Sequence, residues 1–390
     1  MYTLTITDDG GVPIYFQTDS GNVTDDQTHR ATWDILRQLV GRTDFLYVAD
    51  CKLATTDNMS YIAGKQGRFV TILPRTRKED AEFRQRLAEG KPLTWESVLV
   101  ERDAAGEISD HYRVCAEATL SAEGFRLFWV HSQGKAESDA ATRARHIRRA
   151  TAELRELQEK LSSPRTRYRK RDMVDKAVAK ILADRGVESW LRVQVAVHEQ
   201  ATYKQTRRGR PTADMEYVKE VSQRYGLTWE LDAAAVEASS RSDGVFPLIT
   251  NDKQFTAAET LQAYKRRPMI EKRFSQFKTD FEVAPVYLKE ISRVSALLAM
   301  YFFVLLVQTL LERELRRAMR AAKLESLNLY PEGRACRAPT TRRVIDVFEG
   351  VQRHELRTES GEQVVVTELT RLQRDLLQLL QLPAAEYGQR

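Results

Sequence analysis

The chain has 390 residues, of which 42% are hydrophobic and 30% are charged, and its formal net charge is +6. A chain of this length can bury more than one hydrophobic core, so we expect roughly two or three domains. Three distant cysteines, Cys51, Cys115 and Cys336, argue against a disulfide framework and favour a reducing compartment. The basic balance favours an anionic partner such as nucleic acid, although scattered charges would equally serve a solubilising surface.

The first 75 residues alternate strand and helix signals. Residues 2–7 and 12–16 alternate apolar and polar side chains on either side of an Asp-Asp-Gly-Gly turn, which predicts a β-hairpin. A helix is predicted over 29–40 and a strand over 69–73. Between them, the apolar run 43–49 predicts a buried strand that ends on Asp50.

Asp50 is the first candidate site residue. A carboxylate at the C-terminal end of a buried strand lies where open α/β sheets bind their ligands. The alternative is a turn or N-cap aspartate in front of the helix that begins near Thr55.

Residues 76–242 change in character and predict an α+β region, with strands near 97–102, 111–117, 124–131 and 190–198 and helices near 136–162 and 172–185. Arg207, Arg208 and Arg210 surround a glycine and precede a proline, as in the core of an AT-hook that lays arginine into the minor groove of DNA. An ordinary exposed turn is the alternative. The basic side chains between 143 and 171 could neutralise phosphates, or simply form a solvated face.

The strand predicted over 245–251 is followed by a helix that starts with a capping-box pattern at Thr256. In that helix Tyr264, Arg267, Glu271 and Lys278 are spaced by three, four and seven residues, which on a single helix places them within an arc of roughly 60°. A carboxylate is suited to a divalent metal, and the cations and phenol to phosphate oxygens. Proline 268 should kink or restart the helix, and a solvated amphipathic helix remains the alternative.

These four residues match the pattern Y-x2-R-x3-E-x6-K, so the chain resembles the DDE insertion-sequence transposases with the YREK signature, in the RNase H-like superfamily. The resemblance implies an α/β fold: an RNase H-like mixed sheet flanked by helices, interrupted by a large α+β insertion and followed by a mainly helical C-terminal region. The expected domains are 1–75 and 243–330 as two halves of the catalytic domain, 76–242 as the insertion, and 331–390 as the C-terminal region.

The resemblance also implies a mechanism and its residues. Asp50 and Glu271 are the expected catalytic residues and ligands of Mg²⁺ or Mn²⁺, with two ions in a complete site. Tyr264, Arg267 and Lys278 are the expected DNA contacts. The implied activity is metal-dependent cleavage and strand transfer during cut-and-paste transposition, on double-stranded DNA at the transposon ends and the target, by a homodimer in the cytoplasm or on the nucleoid.

No membrane partner is expected. The apolar run 294–307 has fourteen residues, fewer than the ~20 that a membrane-spanning helix needs, and predicts a helix buried against the sheet.

The family's first catalytic aspartate lies on a strand before the one that matches residues 2–7. We therefore expect this chain to lack that strand and to be inactive as it stands. Two alternatives remain open: a non-catalytic DNA-binding remnant of a transposase, and an RNase H-like nuclease that does not join its products to a target.

Overall fold

The computed structural model describes residues 2–19, 24–103, 105–206, 217–283, 286–358 and 361–384. The chain divides into two compact units. The central unit is the continuous stretch Thr43–Leu261, and the composite unit combines Met1–Arg42 with Gln262–Arg390. The predicted domain boundaries near 75, 242 and 330 stay predictions.

The composite unit begins with the predicted β-hairpin, which is confirmed. Strands β1 (Tyr2–Ile6) and β2 (Pro13–Thr18) pair antiparallel, and helix α1 (Asp25–Val40) follows. Gly10 and Gly11 in the turn have φ angles of +86° and +66°, a left-handed conformation in which a Cβ would be strained.

The central unit is built on a seven-stranded mixed sheet with the order β3-β4-β11-β8-β6-β5 and β7 beside β8. Only β3 and β4 run parallel, and the other described pairs are antiparallel. The strands and the two helices between the first of them are β3 (Leu46–Val48), α2 (Thr56–Gly64), β4 (Arg68–Ile72), α3 (Lys78–Ala88), β5 (Trp95–Arg102), β6 (Ile108–Cys115), β7 (Thr119–Leu120), β8 (Arg126–Ser132) and β11 (Val245–Thr250).

The middle of this sheet is buried because side chains cover both faces. Leu248 and Ile249 of β11 are fully buried, and Trp129 of β8 stacks on Phe83 of α3 with ring centroids 4.0 Å apart. A strand covered on both faces has a nearly continuous apolar sequence, as β11 does. Strand β8 pairs directly with β11, so the sheet continues into the region predicted to be an insertion.

A long β-ribbon and two helices form a second core of the central unit. Helices α4 (Gln133–Ser162) and α5 (Arg171–Arg185) pack against the start of a ribbon made by β9 (Leu191–Gln205) and β10 (Tyr217–Leu231), and α6 (Ala233–Ser240) leads on towards β11. The predicted strand ended near residue 198, whereas β9 continues to Gln205 because its backbone pairs with β10 beyond the buried core. There the apolar side chains of Tyr203 and Val221 are exposed.

The rest of the composite unit is mainly helical. Its C-terminal core joins the last turns of α9 to α10 and α11, with Leu315, Met319, Val344 and Leu376 buried together. Helix α7 crosses the boundary between the units. The elements are α7 (Ala257–Tyr264), α8 (Pro268–Ser275), α9 (Ile291–Ala321), α10 (Thr341–Phe348), β12 (Arg353–Thr358), β13 (Gly361–Val366) and α11 (Arg371–Leu379).

Helix α9 differs from its prediction in length and in burial. It has 31 residues, because the helix continues past the apolar run into a charged segment. By length and composition alone it could cross a membrane, and 17% of its most apolar 18-residue window is buried. Phe302 and Leu305 pack on the hairpin residue Leu4, while Phe303 and Val307 are exposed. The predicted burial therefore holds for one face of the helix, and the opposite face is exposed.

Candidate functional site

Asp50 lies just beyond the end of β3 in the central unit. The Ala49 amide still donates to the Val70 carbonyl of β4 at 3.3 Å, and the Asp50 carbonyl accepts a hydrogen bond from the Thr71 hydroxyl at 2.5 Å. These contacts fix the backbone of Asp50 at the C-terminal edge of the parallel pair. The sequence prediction of an aspartate at a strand end is confirmed as a placement.

The Asp50 carboxylate also has a local role. Its Oδ1 atom accepts the Lys52 amide at 2.9 Å, which is an Asx turn. The alternative of a turn aspartate is thus confirmed, whereas that of an N-cap is wrong, because Thr55 caps α2 by accepting the Asn58 amide at 3.2 Å. The turn therefore orients the Asp50 carboxylate. Burial, and secondarily the charge of Asp50, raises the pKa of Tyr47.

The residues predicted to share one helix lie on two helices and a π-helical turn. Helix α7 ends at Tyr264, and α8 begins with Pro268 at its first position, where a missing amide proton costs nothing. The capping box at the start of α7 is confirmed, since Thr256 and Glu259 exchange hydrogen bonds of 2.8 and 3.2 Å. The single continuous helix was wrong, and the restart expected at the proline is confirmed.

The junction of α7 and α8 brings three of the four signature residues together. Arg267 Nη1 donates to Tyr264 Oη at 2.6 Å, and the guanidinium carbon lies 5.4 Å from the centre of the tyrosine ring. Arg267 Nη2 lies 3.7 Å from Glu271 Oε1. The Glu271 side chain is 68% exposed, in the first turn of α8. We call this set the junction cluster: a phenol, a guanidinium and a solvent-facing carboxylate.

Lys278 is not joined to the junction cluster by any hydrogen bond or ion pair among the described residues. It lies in the π-helical turn Gln276–Asp280 and is exposed. A π turn takes in an extra residue, so the angular arithmetic of an α-helix does not carry across it. The predicted common face therefore does not extend to Lys278.

A buried charged cluster, which no sequence pattern indicated, lies beside the junction. The Arg273 side chain, one turn from Pro268 on α8, is 4% exposed and lies 3.1 Å from Glu312 of α9, which is 1% exposed. Arg273 also donates to the carbonyls of Gly10 and Gly11 at 2.8 and 3.0 Å. Burial lowers the pKa of Arg273, and Glu312 opposes that effect. Arg273 thus ties α8 to the hairpin and to α9.

The two basic features of the central unit have different outcomes. Arg207, Arg208 and Arg210 lie outside the described residues. In the basic segment, Arg143 pairs with Asp243 through two contacts of 2.7 and 2.6 Å. That arginine serves the central unit's own structure, which supports a partly structural role for the patch.

The two candidate metal ligands have suitable donor atoms. Asp50 and Glu271 offer carboxylate oxygens, which suit Mg²⁺ and Mn²⁺. Across the part of the chain that the structure describes, no group of three or more His, Cys, Asp or Glu side chains is placed to hold a metal ion. The two candidate ligands belong to different units, Asp50 to the central one and Glu271 to the composite one.

Comparison with known families identifies a family to which most of the chain is similar. The family model described as a transposase DDE domain matches residues 2–307, which include the hairpin, the whole central unit, the junction cluster and half of α9. A comparison with curated proteins found no match.

Proposed function

The chain belongs to the transposase DDE domain family, and from that premise we propose that it cleaves DNA at the ends of an insertion sequence and joins them to a target, with Asp50 and Glu271 as metal ligands. Membership makes it a DNA transposase that takes part in DNA transposition and recombination. Members of the family generally use divalent metal ions, bind DNA and are typically soluble and cytoplasmic.

The junction cluster is the observation that supports this proposal most strongly. Glu271 is exposed, so a cation can reach it without displacing a packed side chain. It lies in the first turn of α8, where the helix dipole favours an acidic side chain. At 3.7 Å, Arg267 is near enough to orient Glu271 but too far for a tight pair that would compete with a metal.

The proposed roles follow from these groups. When bound, two Mg²⁺ or Mn²⁺ ions would activate water and later a DNA 3′-hydroxyl for attack on phosphorus. Asp50 and Glu271 would hold the ions, together with a third carboxylate that this chemistry requires. Arg267 and Lys278 would bind phosphates beside the cut, and Tyr264 would stack on, or hydrogen-bond to, the end of the element. Pairing two ends of double-stranded DNA calls for a homodimer. The protein would act at the nucleoid.

The test is cleavage of DNA that carries the element's ends, in Mg²⁺ or Mn²⁺. Glu271→Gln keeps the side chain's shape and removes the charge, so we expect cleavage to fall by at least about 10³-fold while DNA binding stays within about two-fold. Glu290→Gln is the matched control, because it removes an exposed carboxylate whose described contacts are with its neighbours Ser292 and Arg293. Cleavage by the Glu271→Gln variant at the control's rate would refute the assignment.

A second candidate function is DNA binding without catalysis. It is favoured by the finding that the described residues do not bring three metal-ligating side chains together. Comparing this chain with a version extended upstream in its gene would separate the two. Cleavage by either version supports the enzyme, whereas metal-independent DNA binding without cleavage by both supports the binding protein.

A further inference from the structure

A cleft lined by arginines lies at the C-terminal end of α9, beyond the part of the chain that the family model matches. Three guanidinium groups converge on it. The lining residues are Arg316, Met319, Arg320, Leu324, Glu325 and Arg337. Since Glu325 is the single acid among them, the lining has a net charge of +2.

The walls of this cleft are held in place by the C-terminal core. Leu327 and Cys336 exchange backbone hydrogen bonds of 3.0 and 2.8 Å, which fixes the segment that carries Arg337 beside α9. Arg316 donates to the Pro339 carbonyl at 2.7 Å. Both sides of the cleft are therefore ordered before anything binds, which reduces the entropy cost of binding.

Its charges are poorly compensated. Arg320 and Arg337 are exposed, and no described hydrogen bond or ion pair engages either guanidinium. Arg316 lies 3.4 Å from Glu312, a carboxylate that it shares with the closer Arg273, and its buried Nε atom has no hydrogen-bond partner among the described residues. An anion in the cleft would supply acceptors for the exposed guanidinium groups of Arg320 and Arg337.

We propose that this arginine cleft binds a phosphate of the DNA backbone. The inference rests on the proposed function, because it assumes that the protein binds DNA. Planar guanidinium groups bind phosphate oxygens through paired hydrogen bonds, and a cleft open to solvent admits a strand that passes across it. The contact carries no base information, so the cleft adds affinity and register rather than sequence preference.

The test measures DNA affinity against salt concentration. Neutralising the two unpaired arginines in Arg320→Gln/Arg337→Gln should reduce the magnitude of the slope of log K against log[salt] by about one to two, and weaken binding about ten-fold at physiological salt. The loss should be the same for specific and unrelated duplexes. The double lysine variant, which keeps both charges, should retain most of the slope.

Arg317→Gln is the matched control, because Arg317 lies on the same helix and pairs with Glu314 at 3.2 Å. Loss of affinity and slope in the glutamine double variant alone, with thermal unfolding unchanged, supports the cleft. If the wild type binds DNA and the glutamine double variant has the same slope, the cleft proposal is overturned and the proposed function stands. A fall in stability with an unchanged slope would instead assign these arginines to the end of α9, where cations offset the helix dipole. Failure of the wild type itself to bind DNA overturns both proposals.

Discussion

The change Glu312→Gln should destabilise the composite unit strongly. This substitution keeps the shape of the side chain and removes a carboxylate that faces the guanidinium groups of Arg273 and Arg316, at 3.1 and 3.4 Å. Glu312 is 1% exposed and Arg273 is 4% exposed, so water cannot take over the lost interaction. A buried cation would be left without a counter-charge.

The magnitude follows from the remaining contacts. Removing one partner of a buried ion pair costs about 3–5 kcal/mol in the free energy of unfolding. We expect the lower end, about 3 kcal/mol, because Arg273 keeps neutral acceptors in the carbonyls of Gly10 and Gly11 and the side chain of Gln276.

Urea unfolding followed by circular dichroism measures the loss. With a slope of about 3 kcal/mol per molar urea, the midpoint of the composite unit's transition should fall by about 1 M. Hydrogen exchange should show faster opening of β1, α8 and α9, the elements that Arg273 joins, and little change in the central sheet. A double-mutant cycle of Glu312→Gln and Arg273→Met should give a coupling energy above about 1.5 kcal/mol, because Glu312 and Arg273 are in contact.

The control is Glu314→Gln, two residues along the same helix. Glu314 is 51% exposed, so its pairs with Arg313 and Arg317 should contribute less than about 1 kcal/mol. If the Glu312→Gln variant unfolds at the same urea concentration as this control, the prediction is wrong, because burial of the charge then has no effect on stability.

Two further predictions concern the central unit. Gly244 has φ +74°, and a Cβ there would lie 2.3 Å from the Ser132 carbonyl oxygen. Gly244→Ala should therefore lower the free energy of unfolding by about 2–4 kcal/mol, as measured by urea titration. A loss below about 0.5 kcal/mol would contradict the clash. Arg77 hydrogen-bonds to Glu79 and lowers the pKa of that carboxyl to about 2. Burial alone would raise the pKa of Glu123, but hydrogen bonds, first among them the one from Arg77, lower it to about 2 as well. Because both pKa values are depressed on folding, the stabilisation is present above about pH 4.5 and is lost as the pH falls towards 2, by roughly 1–2 kcal/mol per carboxylate after screening. Arg77→Met should flatten this acid limb of a stability against pH curve, and an unchanged limb would show that other groups cause it.

Local sequence signals determined much of the element order. Alternation and turn residues gave the hairpin, and the unbroken apolar runs gave β3 and β11. Thr256 and Glu259 marked the start of α7, and Pro268 the start of α8. Helix starts of this kind depend on interactions among residues a few positions apart, so they can be predicted directly from the sequence. The family was also visible in the sequence, through residue types at fixed spacings, and the match over residues 2–307 confirms it.

Only the tertiary structure decided how those elements combine. Periodicity could not show that β8 pairs with β11, or that β9 and β10 continue as a ribbon, because strand pairing joins segments far apart in sequence. Periodicity also placed Lys278 on an α-helix, whereas it lies in a π-helical turn, because a π turn has no simple sequence signature.

The charged clusters show the same division. Arg273 and Glu312 are among the most buried ionic side chains of the composite unit, although arginine and glutamate are ordinarily exposed. Their burial depends on the hairpin turn, α8 and α9 meeting at one point. Local sequence patterns thus indicated the hairpin, β3, β11, the starts of α7 and α8, and the residue types of the proposed chemistry. The tertiary structure decided which charges are buried as supports and which, like Glu271, face solvent, because burial depends on contacts between distant segments rather than on local pattern.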